Sequence, residues 1–102
     1  MYRASDERDN EQWLADLNEA ADRLGFSTEA RSRAADVFLS ALPESDRSKR
    51  ATLAAALYVG GLVAGEQRSQ RTVADAVDVS RLSVQQRWKE VLDAAGLDPP
   101  GW

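Results

Sequence analysis

Apolar positions recur along this chain at helical spacing, and no segment alternates apolar and polar residues for long enough to form a strand. Five helices are predicted. The first starts near Asp9, whose carboxylate forms a capping-box pattern with Gln12. It turns Trp13, Leu14, Leu17, Ala20, Ala21 and Leu24 inward, and Gly25 ends it. The second follows Ser27, buries Ala30, Ala34, Val37, Phe38 and Ala41, and stops before Pro43. A polar loop, 43–47, leads to Ser48 as the cap of a third helix. That helix differs in kind: from Ala51 to Ala64 it is apolar on every side, the pattern of a helix surrounded by others. Gly60 and Gly61 each cost it about 1 kcal/mol of propensity, which is tolerable where neighbouring helices must approach closely.

The last two helices form a unit. Ser69 and Ser80 each precede a helical run, where a hydroxyl accepts from an orphaned backbone N–H. Val73, Ala74 and Val77 give the fourth helix an inner side, and Val84, Trp88, Val91, Leu92 and Ala95 give the fifth an apolar stripe. Val79, just before the Ser80 cap, is placed to staple the entry of the fifth helix. A short helix, a tight turn and a longer helix with a polar front predict a helix-turn-helix, whose apolar back docks it while its front reads base edges. The organisation expected is a flexible N-terminus (1–9), one all-α domain (10–97) and a C-terminal tail (98–102), in which Trp102 is either disordered or folded back.

The chain has 102 residues, enough for one core without metal or disulfide staples. It contains no Cys and no His, which excludes disulfides, zinc ribbons and thiol or imidazole catalysis. Without a phosphate-binding glycine loop or a convergent acid pair, neither enzymatic activity nor a cofactor is expected. Residues 1–7 lack a secretory apolar stretch. The longest uncharged run, Ala51 to Gly65, is 15 residues, short of the roughly 20 that span a bilayer. A soluble, cytoplasmic protein with no membrane partner is the expectation.

The net charge of −4 disfavours nucleic acid, but its distribution reverses that argument. Residues 1–45 carry 5 basic and 10 acidic groups, whereas residues 47–90 carry 8 basic and 4 acidic groups. The basic half coincides with the helix-turn-helix, as an electrostatic footprint would. Trp88 and Tyr58 are expected in the core, Trp88 rather than as a base-stacking group. Arg87 can reach phosphate or pair with an acid on a neighbouring helix. Gln85, Gln86 and Lys89 sit on the outer face, as base contacts or as ordinary solvated positions. Asp16, Glu19 and Asp22 spread along one face of the first helix with no His nearby, so a solvated acidic face is expected rather than a metal or acid-base site.

A five-helix array with a central apolar third helix and a terminal helix-turn-helix is the cyclin-like repeat. Three blocks strengthen that reading: Ala54-Ala55-Ala56-Leu57-Tyr58, Gly65-Glu66-Gln67-Arg68-Ser69-Gln70-Arg71-Thr72-Val73-Ala74, and Leu82-Ser83-Val84-Gln85-Gln86-Arg87-Trp88-Lys89-Glu90-Val91. In order and spacing they resemble the second cyclin repeat of archaeal transcription factor B and eukaryotic TFIIB, over about residues 10–97. The resemblance implies a role in transcription initiation or its regulation. Full-length members hold the TATA-binding protein on promoter DNA, recruit RNA polymerase and read the element upstream of the TATA box with this helix-turn-helix. It implies that Leu82, Ser83, Gln85 and Gln86 face the major groove; Arg81 and Lys89 are expected as further DNA contacts. Arg68, Ser69, Gln70 and Arg71 would approach the DNA backbone, as would Lys49 and Arg50 near the third helix. Promoter DNA is the expected partner. The alternative is a protein-interaction module docking on the TATA-binding protein, a full-length factor B or RNA polymerase.

The departures count as well. With one repeat and no cysteine for a ribbon, this chain is not expected to do the whole initiation job. Gln85 stands where the family commonly places a base-reading Arg, which shifts the favoured partner from guanine towards adenine. The segment 43–47 differs from the family's usual glycine-containing loop.

Overall fold

The computed structural model describes residues 11–42 and 46–97, the first three of the latter by backbone alone. Among them are five helices: α1 Glu11–Arg23, α2 Thr28–Ser40, α3 Asp46–Ala64, α4 Gln70–Val77 and α5 Arg81–Ala94. All four other helices pack on α3. The Asp9 cap, the N- and C-terminal segments and residues 43–45 of the polar loop lie outside the described residues.

The central helix is buried on every side from Thr52 to Gly61, which is why its sequence is apolar all round. Its last turn, Leu62 to Ala64, is only half-buried. Two boundaries differ from expectation. Asp46 and Arg47 already belong to α3, so Ser48 lies inside its first turn rather than capping it. Ala41 falls beyond the end of α2 and is half-buried, while Leu39, outside the expected stripe, is buried. Trp13 and Leu14 are half-buried against the core instead of enclosed by it.

Local chemistry fixes the ends. Ser27, Ser69 and Ser80 are extended N-cap residues whose hydroxyls accept from the amides of Ala30, Thr72 and Ser83. After α1, Gly25 adopts φ +68°, the Phe26 amide donates to Ala21 O at 3.0 Å and the Gly25 amide to Asp22 O at 3.1 Å. This is a Schellman closure, in which the left-handed residue lets two late carbonyls find donors. At the end of α4 the left-handed residue is Asp78 (φ 63°, ψ 48°), with the Val79 amide donating to Ala74 O at 3.0 Å. Aspartate tolerates this conformation better than most residues. It lets three residues, 78–80, turn the chain from α4 into α5.

Candidate nucleic-acid interface

The helix-turn-helix docks through its apolar side. Val73, Ala74 and Val77 of α4 and Val84, Val91 and Leu92 of α5 are buried, and Val79 of the turn packs on the core. Trp88 is half-buried, its ring 5.5 Å from that of Tyr58 at an interplanar angle of 69°, the edge-on geometry that aromatic quadrupoles favour. Trp88 thus props α5 on α3. Arg87 is half-buried and lines a shallow groove with Ala41, Thr52, Glu90, Val91 and Ala94.

What α5 leaves outward is a row at i, i+3, i+4, i+7: Leu82, Gln85, Gln86 and Lys89, all exposed. Leu82 is 53% accessible and is the exposed large apolar side chain among the described residues. Arg81 begins the helix, exposed, and Arg71 is exposed on α4. Ser83 is half-buried, its Oγ 3.0 Å from that of Ser80. The Lys89 ammonium lies 5.6 Å from the Trp88 ring centroid, within cation–π range. Ser69 is taken up in capping: its Oγ donates to Thr72 Oγ1 at 2.8 Å and accepts from the Thr72 amide at 3.1 Å. Gln70 and Lys49 are half-buried.

Two of the arginines that the resemblance places at the DNA backbone make contacts within the domain, Arg68 half-buried and Arg50 exposed. The Arg68 guanidinium donates from Nε to Leu24 O at 2.8 Å and from Nη1 to Glu66 O at 2.9 Å and Gln67 O at 3.3 Å. Its Nη2 reaches Gly25 O at 3.5 Å, and the group lies 5.3 Å from the Phe26 ring centroid. A guanidinium has five N–H donors and most of these are spent on carbonyls. Arg50 donates to Val77 O at 3.2 Å, sits 3.9 Å from Asp16 and lies 5.6 Å from the Trp13 ring centroid. It lines a groove between α1, α3 and α4 with Asp16, Glu19, Asp75 and Asp78, where four carboxylates outweigh Arg23 and Arg50 and repel a phosphate.

Sequence reasoning missed the partners of these arginines. Arg23 donates to Ala76 O at 2.9 Å, so two arginines from α1 and α3 satisfy the last carbonyls of α4. Glu66 accepts from the Ser27 amide at 2.9 Å and from the Ser27 hydroxyl. The signal is a loop between two helices, in which carbonyls such as those of Glu66 and Gln67 need a donor such as Arg68. The Ser27 donors hold the Glu66 carboxyl below its ordinary value of 4.5. A depressed folded-state value contributes stability above the ordinary range that is lost as pH falls. Acid titration below pH 4.5, followed by circular dichroism, should therefore destabilise the wild type more steeply than Glu66→Gln.

Fold and surface together define an all-α cyclin-like domain ending in a helix-turn-helix. Residues 10–94 match the family model of the transcription factor TFIIB repeat, and the chain belongs to that family. It is 37% identical over 87 residues to transcription initiation factor IIB of Pyrococcus abyssi, covering 82% of this chain and 29% of that protein. Transcription initiation factor IIB 1 of Thermococcus kodakarensis gives the same figures. The Archaeoglobus fulgidus factor is 33% identical over 78 residues, 74% of this chain and 24% of its own length. The chain thus spans less than a third of the curated relatives it matches. These relatives are initiation factors, not enzymes, in agreement with the non-enzymatic expectation. No described helix is long and apolar enough to cross a membrane.

Proposed function

We propose that residues 10–97 form a TFIIB-type module that acts in transcription initiation or its regulation by contacting promoter DNA through α4 and α5. The observation that carries this reading is the exposed row Leu82, Gln85, Gln86 and Lys89 on a helix held by buried Val84, Val91 and Leu92. The row begins at the N-terminal end of α5, the part of a recognition helix that meets base edges. Leu82 suits a thymine methyl and Gln85 an adenine edge. Arg71 and Arg81, exposed and without hydrogen-bond or ion-pair partners among the described residues, supply the phosphate contacts, with Ser69 and Gln70 at the start of α4.

Fluorescence anisotropy with promoter duplexes over a salt series tests this. Arg71→Ala should weaken every duplex alike and flatten the slope of log K on log[salt] by about 1. Gln85→Ala should instead change preference among duplexes, by about 1–3 kcal/mol at one position. Wild-type affinity independent of both changes would remove DNA contact from the reading.

The groove of Asp16, Glu19, Asp75 and Asp78 favours a second reading, in which the domain docks on a basic surface of the TATA-binding protein, a full-length factor B or RNA polymerase. NMR titration separates the two. Shifts confined to residues 69–89 with duplex DNA support the first; shifts around α1 with protein and none with DNA support the second.

A further inference from the structure

The α1–α2 turn and the α3–α4 loop are tied by a set of polar bonds that nothing in the DNA-contacting surface requires. Arg68 gathers carbonyls from both segments, Leu24 and Gly25 on one side and Glu66 and Gln67 on the other. Glu66 crosses in the opposite direction and takes the amide and hydroxyl of Ser27. Underneath, Gly61 leaves the space in which the loop closes: a Cβ there would lie 2.9 Å from both Glu66 O and the Phe26 ring. The Glu66 amide closes the end of α3 on Gly61 O at 2.7 Å. One residue after Arg68 comes Ser69, whose hydroxyl and carbonyl receive the amides of Thr72 and Val73.

We propose that Arg68, with Glu66 and Ser27, is a positioning clamp that fixes the first turn of α4 against the α1–α2 turn. The loop 65–69 has no regular backbone ladder of its own, so its path depends on these side chains. The helix α5 packs on α3, and α4 is anchored in the core by Val73, Ala74 and Val77, whereas Ser69 to Thr72 ahead of them bury no side chain there. The clamp therefore sets where Ser69, Gln70 and Arg71 stand relative to the α5 row. That consequence rests on the DNA-contacting reading above; the clamp itself does not. Arg68 acts here as a fork and not as a charge, which makes lysine a poor substitute.

The discriminating variants are Arg68→Lys, Arg68→Ala and Glu66→Gln in the full chain, each first checked for a wild-type far-ultraviolet spectrum. Amide hydrogen exchange followed by NMR should show Thr72 and Val73 exchanging about tenfold faster in all three, with α5 amides unchanged relative to wild type. Unchanged exchange at Thr72 and Val73 overturns the clamp, whether or not DNA binds. In anisotropy titrations Arg68→Lys should weaken promoter binding as much as Arg68→Ala, with both salt slopes at the wild-type value. Rescue by lysine, with a slope flatter by about 0.9 in Arg68→Ala, makes Arg68 a phosphate contact and also overturns the proposal. Faster exchange together with no DNA binding by any form, wild type included, supports the clamp and removes the DNA reading instead.

Discussion

Gly60→Val is expected to remove at least about 3 kcal/mol of stability, a large part of the roughly 5–15 kcal/mol that holds a small domain together. A Cβ on Gly60 would stand 2.8 Å from the Cα, Cβ and N of Ala34. Two of those atoms are main chain of α2, so no rotamer change relieves the contact; the two helices must separate. Ala30, Ala34 and Phe38 of α2 and Leu53, Leu57 and Val59 of α3 are all essentially inaccessible, so separation opens a dry core to water. Gly60→Ala should cost about 2 kcal/mol, the overpacking reduced by about 1 kcal/mol of recovered helix propensity. The control is Gly65→Ala, with no atom within 4 Å of the added Cβ and φ at +76°. It should lose about 1–2 kcal/mol through backbone conformation alone. Thermal and urea melts followed by circular dichroism decide, each kcal/mol shifting Tm by about 4–8 °C. If Gly60→Val melts no lower than Gly65→Ala, the α2–α3 approach is looser than the geometry here.

Gly25, Ser69 and Ser80 were legible because their work is done within a few residues of themselves, by closing a helix end or receiving one amide. The all-apolar run of α3 was legible because burial on every side leaves no other pattern. The intramolecular partners of Arg50 and Arg68 are not legible, for the converse reason. Their acceptors, Val77 O and Leu24 O, lie 27 and 44 residues away, and a backbone carbonyl has no signature in sequence. Summing charge over 47–90 counted both as part of a basic surface, whereas one is folded into the loop and the other faces an acidic groove. The start of α3 was placed late because a polar first turn resembles a loop when the helix is recognised by its apolar run. On the outer face Gln85, Gln86 and Lys89 are exposed as the apolar stripe of α5 predicts, and Leu82 is exposed beside them.

The same substitution at two adjacent positions of α5 separates its inner and outer work. Val84 has no accessible surface, while Gln85 beside it is exposed. Val84→Asp buries a carboxylate in the apolar core cluster, which is expected to cost about 4 kcal/mol or more and to detach α5 from α3. Helix content should fall and the melting transition should broaden or disappear near ambient temperature. DNA binding is then lost as a consequence of unfolding. Gln85→Asp shortens an exposed side chain and places its charge in water, so stability should change by no more than about 0.5 kcal/mol. It nevertheless sets a negative group among phosphates and base acceptors where an amide could both donate and accept. Promoter affinity should fall at least about tenfold, the equivalent of 1.4 kcal/mol, with the melting curve in place. A folded Gln85→Asp that binds promoter duplexes as tightly as wild type would mean that the exposed row is not the DNA-facing surface, and would shift the function of this repeat towards its acidic α1–α4 groove.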